Sequence, residues 1–151
     1  MNRLNLPAFD YRCRTRDGRE EIFDPVRRKY VALTPEEWVR QHFINFLITE
    51  KATPLPLIAV EQMIVYNTMQ RRCDIIVYSR KGTPRLIVEC KASSIEINQK
   101  AFEQIARYNL VLKVPYLVVT NGLTHICCKI SFEQSNYVFL KEIPSFDQLT
   151  L

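Results

Sequence analysis

The sequence predicts a mixed α/β domain in which one central β-sheet is flanked by helices, in the order αβββαβ. A capped helix start precedes three strand-like apolar runs, and a second helical segment precedes a fourth run. The 151 residues fit one domain with a sizeable core, since 47% of them are hydrophobic and 25% are charged. The apolar runs are too short to span a membrane, so no membrane association is expected.

Residues 1–33 are predicted to form an extension packed on this core. Phe9–Arg14 and Arg19–Phe23 flank Asp17-Gly18, which is a strong signal for a short hairpin. The stretch is rich in arginine, but acidic residues partly offset that charge. A solvated hairpin face is therefore at least as well supported as a binding patch. Residues 34–151 are predicted to form the main domain.

The main domain is predicted to begin with a helix. Thr34 can cap it, Pro35 suits the first helical position, and Glu37 is placed to complete a capping box. An apolar stripe at helical spacing follows, formed by Val39, Phe43, Phe46 and Leu47. Residues 52–57, which include two prolines, are predicted to connect this helix to the sheet.

The rest of the chain alternates between strand and helix patterns. A second helix is predicted from Asn98 or Gln99 to about Leu112, between the third and fourth strands of the core. The predicted strands are Ile58–Tyr66, Cys73–Tyr78, Arg85–Lys91 and Tyr116–Thr120, with peripheral strands at Ile126–Ser131 and Tyr137–Leu140. One central sheet with a helix on either side accounts for this order.

Cysteine usage and charge limit the class of protein. The five cysteines are odd in number and have no paired spacing, so neither a disulfide framework nor a zinc site is indicated. Without the apolar stretch of a signal peptide, the chain is expected to be cytoplasmic. The formal net charge of +5 is compatible with a phosphate-bearing partner but does not require one.

Three charged residues lie in strands that otherwise look buried: Asp74, Glu89 and Lys91. Removing a charge from water is costly unless it is paired or binds a metal, so we expect function at this place. If Lys81-Gly82 is a two-residue hairpin loop, Asp74 lies directly opposite Glu89, with Cβ atoms roughly 5 Å apart. Lys91 shares that face because side chains alternate along a strand.

Two facing carboxylates favour a bound metal ion. They repel each other unless a cation lies between them, and an oxygen-rich pair suits Mg²⁺, with Mn²⁺ as a substitute. The backbone carbonyl of Cys90 is a further candidate ligand. A metal here would activate water and stabilise charge on a phosphate, and Lys91 would orient that water or neutralise the oxyanion. The alternative is a buried ion pair between Lys91 and one carboxylate, a structural staple without chemistry.

Two motifs on these elements resemble those of known nucleases. Asp74, followed about fifteen residues later by Glu89-Cys90-Lys91, resembles the PD-(D/E)XK superfamily, although Arg-Cys-Asp replaces the usual Pro-Asp. Gln104-Ile-Ala-Arg-Tyr108 resembles the Gln-x-x-x-Tyr motif of its RecB-like branch, and its two ends share a helix face. The resemblance implies that Gln104 and Tyr108 help to hold the catalytic lysine and the nucleic-acid backbone.

The run from Thr34 to Pro144 is similar to the N-terminal nuclease domain of type I restriction enzyme R subunits. This resemblance implies a restriction-endonuclease-like fold, DNA as substrate, and a further acidic metal ligand from the first helix. Glu36 and Glu37 compete for that role, and Glu36 is preferred because the capping box already explains Glu37. The chain has no Gly-x-x-x-x-Gly-Lys-Ser/Thr phosphate loop. A separate motor or methyltransferase subunit and a second copy of the chain are therefore open alternatives as partners.

Basic residues near the motifs are candidate contacts to DNA phosphates, each with routine surface exposure as the alternative. They are Arg71 and Arg72 on the catalytic strand, and Arg40, Lys100 and Arg107 on neighbouring elements. The predicted function is a Mg²⁺-dependent nuclease, of endonuclease type, acting on DNA. Two alternatives stay open: a nuclease-fold module that binds nucleic acid or a protein without cleaving, and an assembly domain whose charged cluster is an internal staple.

Overall fold

A computed structural model describes all residues, 1–151, and shows the predicted mixed α/β architecture. The strands are β1 (Cys13–Arg16), β2 (Arg19–Asp24), β3 (Lys29–Ala32), β4 (Ile58–Tyr66), β5 (Met69–Tyr78), β6 (Pro84–Cys90), β7 (Tyr116–Thr120), β8 (His125–Ser131) and β9 (Asn136–Leu140). The helices are α1 (Pro35–Thr49), α2 (Gln99–Leu112) and α3 (Phe146–Leu149), with a short 3-10 turn at Leu55–Leu57. Each of these helices is too short or too polar to span a lipid bilayer.

The central sheet has six strands in the order β4-β5-β6-β7-β8-β9. All neighbours are antiparallel except β6 and β7, which are parallel. Parallel neighbours need a crossover connection, and α2 supplies it between these two strands. The order αβββαβ is therefore confirmed, with β8 and β9 added at one edge of the sheet.

Apolar side chains cover both faces of the central sheet. On one face, Ile75 and Val77 of β5 pack in a core with α1, α3 and Phe43. On the other face, Ile76 and Ile87 pack in a second core with α2. Side chains of a strand point alternately to its two faces, so a strand buried on both sides is apolar almost throughout. The β5–β6 hairpin, which carries Asp74 and Glu89, lies between these two cores.

The N-terminal extension contains the predicted hairpin and one more strand. Asp17 and Gly18 both have positive φ, 51° and 75°, as a two-residue hairpin turn of the I′ type requires. The added strand, β3, pairs with β2 to give a separate three-stranded sheet. Leu4 and Ile22 are buried in the same core as α1, so the extension packs on the domain. The boundary between residues 33 and 34 stays a prediction.

The turn between β5 and β6 is not the predicted two-residue loop. The amide of Gly82 donates to the carbonyl of Ser79 over 2.9 Å, and the amide of Ser79 donates to the carbonyl of Thr83 over 2.8 Å. Gly82 has a φ of 83°, where glycine is favoured because it lacks a Cβ atom. Three residues, rather than two, therefore form the loop.

A bulge in β6 restores the predicted register after this longer loop. Tyr78 pairs with Pro84, but the next pair is Val77 with Leu86, which leaves Arg85 as an extra residue. From Leu86 onward the strands pair as the sequence predicts, up to Ile75 with Val88. The next position along this register sets Asp74 against Glu89. The predicted loop length is wrong, but the predicted placement of Asp74 opposite Glu89 is unchanged.

Candidate active site

The structure brings Asp74 and Glu89 together at the end of the β5–β6 hairpin. Asp74 Oδ2 accepts a hydrogen bond from the backbone amide of Cys90 over 2.7 Å, which fixes one of its oxygens. Glu89 is buried, with only 7% of its surface exposed. Burial and the negative charge of Asp74 together raise the pKa of Glu89 from 4.5 to about 8. The pair shows the repulsion that a cation between the carboxylates would relieve.

Glu89 has an acceptor oxygen that the protein leaves unsatisfied. Its Oε1 lies 2.9 Å from Arg71 Nη2, but the directions of the groups do not make a hydrogen bond, and the oxygen is fully buried. No group of three or more His, Cys, Asp or Glu side chains is arranged to hold a metal. Mg²⁺ needs fewer protein ligands, because it commonly takes one or two carboxylates and keeps several waters. The pair fits such an ion.

Arg71 lies between the acidic pair and the Gln-x-x-x-Tyr motif of α2. Its guanidinium carbon is 4.7 Å from the centre of the Tyr108 ring, a cation–π contact, while the same group pairs with Glu89. Arg71 is thus committed inside the site, which does not fit the predicted contact to DNA phosphates. Gln104 lies one turn before Tyr108 on α2 and is exposed.

Lys91 follows directly after β6 at the edge of the site. Its backbone amide donates to the carbonyl of Thr120 over 2.8 Å, which ties this position to β7. Its side chain forms no ion pair, and its charge opposes the raised pKa of Glu36 and of Glu89. The predicted alternative, a structural ion pair between Lys91 and a carboxylate, is therefore wrong about Lys91. Arginines pair with the acids instead.

Glu37 is committed to structure, although not by the predicted capping box. Its amide donates to the Thr34 hydroxyl over 3.0 Å, so the N-cap is confirmed. The Glu37 carboxylate accepts from Arg27 over 2.7 Å and from Gln41 over 3.0 Å instead of returning to the cap. A buried carboxylate with these partners has no free oxygen for a metal ion.

Glu36 is the acid of α1 whose carboxylate is exposed and interacts with the charge of Asp74. Its side chain is 47% exposed, and its Oε1 lies 3.8 Å from Arg40 Nη2. Burial raises the pKa of Glu36, and the charge of Asp74 raises it further. Of the two competing residues, Glu36 is the one with a carboxylate available to the site; its role as a metal ligand stays a prediction.

Arg40 is a buried counter-ion and does not reach outward to DNA. Its guanidinium lies within ion-pair distance of four carboxylates, with N–O distances of 2.7 Å, 3.3 Å, 3.8 Å and 4.0 Å to Glu61, Glu37, Glu36 and Asp74. Only 5% of the residue is exposed. The prediction that Arg40 contacts phosphates is therefore wrong, because its charge is already neutralised under the site.

Glu61 is a site residue that the sequence did not single out. In β4 it faces Asp74, between the pairs Val60–Ile75 and Gln62–Cys73. Its φ of 55° is unusual for a residue with a side chain, and such strain is concentrated at functional sites. Although burial acts to raise it, the pKa of Glu61 is lowered by its hydrogen bond with Arg40. Nothing in the sequence spacing marks this glutamate.

Three basic residues of the predicted set stay on the surface. Arg72 has 64% of its side chain exposed and only a 3.5 Å contact to Glu61. Lys100 and Arg107 are exposed on α2. These residues are available to a polyanion, and their contact with DNA stays a prediction.

Sheet, helix order and acidic hairpin together define a mixed α/β domain with a pair of facing carboxylates in its central sheet. Residues 35–144 match the family described as type I restriction enzyme R protein N terminus (HSDR_N), and the chain belongs to that family. The resemblance to the N-terminal domain of type I restriction enzyme R subunits is therefore confirmed.

One solved structure supports the fold assignment. It is described as a fragment of an HsdR subunit of a type I restriction enzyme from Vibrio vulnificus YJ016, with a TM-score of 0.54 and 19% identity. The similarity covers 78% of this chain and 24% of that chain, so this protein corresponds to a minor part of that structure. At such identity the likeness shows the fold alone. No curated protein matches the chain.

Proposed function

We propose that this protein is a metal-dependent nuclease domain of the PD-(D/E)XK type that hydrolyses phosphodiester bonds within DNA. The observation that carries the proposal is the buried pair of Asp74 and Glu89, in which Glu89 Oε1 accepts no hydrogen bond. The guanidinium of Arg71 lies 2.9 Å from this oxygen without donating a hydrogen bond to it, so a metal ion bound here would supply the missing interaction. Membership of the restriction R-subunit family supports DNA as the substrate.

Mg²⁺, with Mn²⁺ as a substitute, suits the oxygen ligands of this site. Asp74 and Glu89 would hold the ion, and the backbone carbonyl of Cys90 and the Glu36 carboxylate are the further candidates. When bound, the ion supplies a more acidic water and stabilises negative charge on a phosphate.

The protein's own groups then divide the remaining work. Lys91 is free of ion pairs and orients the attacking water or neutralises charge on the phosphate oxygens. Gln104 and Tyr108 help to position Lys91 and the DNA backbone from α2. Arg40 pairs with Asp74 and Arg71 pairs with Glu89, and these ion pairs hold the two carboxylates in place. A motor or methyltransferase subunit on another polypeptide, and a second copy of this chain, stay proposals for partners.

A second candidate is a module that keeps the nuclease fold but does not cleave. It is favoured by the two arginines, since Arg40 and Arg71 already neutralise part of the acidic charge without a metal. In that case the cluster is an internal staple and the protein needs no divalent ion. Metal dependence separates the two candidates.

Incubation of the protein with supercoiled plasmid and with single-stranded DNA, in Mg²⁺, Mn²⁺ or EDTA, tests the proposal. Cleavage is expected with either metal and not with EDTA. Lys91→Ala is expected to abolish cleavage, whereas Lys129→Ala, which changes an exposed lysine of β8, separated from β6 by β7, leaves it unchanged. The absence of any metal-dependent cleavage by the wild type, or full activity of Lys91→Ala, would contradict the proposed mechanism.

A further inference from the structure

We propose that the outer half of the β4–β5 hairpin, residues 62–73, is a ribbon that lies in a groove of duplex DNA beside the active site. This inference rests on the proposed function, because it takes DNA as the substrate. It adds the element that holds the duplex and the face of that element that touches the bases.

The ribbon projects beyond the central sheet. β6 pairs with β5 only between Ile75 and Tyr78, whereas β4 and β5 stay paired out to Tyr66 and Met69. The outer half of the hairpin therefore has no third strand beside it. At about 3.3 Å per residue, the strand from Asp74 to the turn at Asn67 extends roughly 23 Å. Such a two-stranded ribbon is one of the elements that a DNA major groove admits.

The inner face of the ribbon is fixed to α2. Ile64 is buried in the core that α2 forms with the sheet, and Met69 packs against the same core. Arg71 is stacked on Tyr108 and paired with Glu89. The ribbon is thus held in one orientation, and its base is tied to the acidic pair. A duplex bound to the ribbon is therefore held in a fixed position relative to the acidic pair.

The outer face of the ribbon is exposed and carries four side chains: Met63, Val65, Gln70 and Arg72. Met63 pairs with Arg72 and Val65 with Gln70, so the four form one continuous surface. Arg72 contacts Glu61 at the base, which makes this surface continuous with the acidic cluster. A duplex on this face therefore passes beside Asp74.

The chemistry of the outer face suits DNA. Residues 62–73 contain no acidic side chain, and the one charged side chain of the outer face is Arg72, which is 64% exposed and lies 3.5 Å from Glu61. Arginine reads guanine or phosphate, glutamine reads adenine, and apolar side chains contact the thymine methyl group. An exposed apolar face alone would fit a protein partner equally well. A face whose one charged side chain is an exposed arginine, beside the proposed phosphodiesterase site, favours the polyanion.

Two valines provide a matched test. Val65 on β4 and Val138 on β9 are 64% and 62% exposed, on strands at opposite edges of the same sheet. The full chain is titrated into a short labelled duplex in EDTA, and binding is followed by fluorescence anisotropy. Val65→Asp is expected to weaken binding by about tenfold or more, because a carboxylate then faces phosphates, whereas Val138→Asp changes it by less than about twofold.

Gln70→Glu serves as a second variant on the same face, because a polar residue replaces a polar one and folding is not at risk. It is expected to weaken binding in the same direction, with unfolding midpoints in urea reported for all variants. Arg72→Gln is expected to lower the salt dependence of binding by about one phosphate contact. Equal affinity of all these variants and the wild type overturns the inference. So does loss of self-association by light scattering in Val65→Asp with DNA binding intact, which marks the face as a protein interface.

Cleavage assays on the same proteins keep this inference separate from the proposed function. If Val65→Asp loses DNA affinity while the wild type never cleaves in Mg²⁺ or Mn²⁺, the ribbon inference holds and the nuclease proposal is wrong. If the wild type cleaves and Val65→Asp binds and cleaves equally well, the ribbon inference is wrong and the nuclease proposal holds.

Discussion

At the scale of single residues, the candidate site is governed by the protonation of Glu89. Its carboxyl is buried next to Asp74, and the ion pair with Arg71 does not compensate fully, so its pKa is raised. The folded metal-free protein therefore keeps a proton on Glu89 that the unfolded chain releases at lower pH. Stability and metal binding both become functions of pH through this one group.

The metal-free protein is expected to lose stability as pH rises from 4.5 to about 8, because over this range the folded state binds more protons at Glu89 than the unfolded state. The stabilisation is complete below the unfolded pKa and is lost as pH passes through the folded pKa. Urea unfolding at several pH values across this range measures it, with Glu89→Gln as the control. An identical pH dependence in wild type and Glu89→Gln would show that Glu89 does not titrate in this way.

The sequence indicated the acids of the hairpin because charged residues stood in otherwise apolar strands. Asp74 and Glu89 were identified in this manner, and the hairpin register set them in facing positions. Glu61 escaped notice because its role depends on a local backbone conformation, with φ at 55°, that no spacing reveals. Arg40 and Arg71 were assigned to DNA because a sequence shows a charge but not its burial among carboxylates.

At the scale of elements, α2 links the hairpin to the proposed substrate side of the site. The helix begins at the cap of Asn98, whose side chain accepts from the amide of Ala101 over 2.8 Å. It places Tyr108 under the guanidinium of Arg71 and leaves Gln104 exposed one turn earlier. An exposed polar residue at this place is expected to act on substrate and to contribute little to stability.

Gln104→Ala is expected to reduce cleavage by an order of magnitude while changing the free energy of unfolding by no more than about 0.5 kcal/mol. Tyr108→Ala is expected to lower both activity and stability, because it removes the cation–π contact with Arg71. Val111→Ala, at another exposed position of α2, is the matched control. Rates with plasmid and urea midpoints give the two readouts. Full activity of Gln104→Ala would make the motif match a coincidence.

The β5–β6 hairpin shows where element prediction succeeds and fails. A glycine-containing turn was recognised, but the sequence does not distinguish a two-residue loop from the three-residue loop that Gly82 closes. The extra loop residue and the bulge at Arg85 compensate each other. The predicted register was therefore right because the longer loop and the bulge cancel, and not because the turn was predicted correctly.

At the scale of the whole molecule, a chain of ion pairs runs from the N-terminal sheet to the active centre. Arg27 pairs with Asp24 at the end of β2, over 2.5 Å, and with Glu37 of α1, over 2.7 Å. Glu37 in turn pairs with Arg40, whose guanidinium reaches Asp74. The two sheets are thus connected through buried charges as well as through the shared apolar core. This connection was not predicted, because its members are far apart in sequence.

Arg27→Ala is expected to destabilise the protein by about 3 kcal/mol, because it leaves Asp24 buried without a counter-ion and Glu37 with Arg40 alone. Arg19→Ala, which removes an exposed arginine of β2, is expected to stay within about 0.5 kcal/mol of the wild type. Urea unfolding of both variants measures the difference. If Arg27→Ala is as stable as Arg19→Ala, the N-terminal sheet is not anchored by these charges.

The proposed nuclease activity depends on the Asp74–Glu89 pair being a metal site, and calorimetric titration of the protein with Mn²⁺ tests this most directly. The titration is carried out at a pH above about 8, where Glu89 is ionised. Wild type and Lys91→Ala are expected to bind one ion with similar affinity, because lysine is not a ligand, and Glu89→Gln is expected to bind none. Absence of binding by the wild type, or equal binding by Glu89→Gln, would show that the Asp74–Glu89 pair is not a metal site.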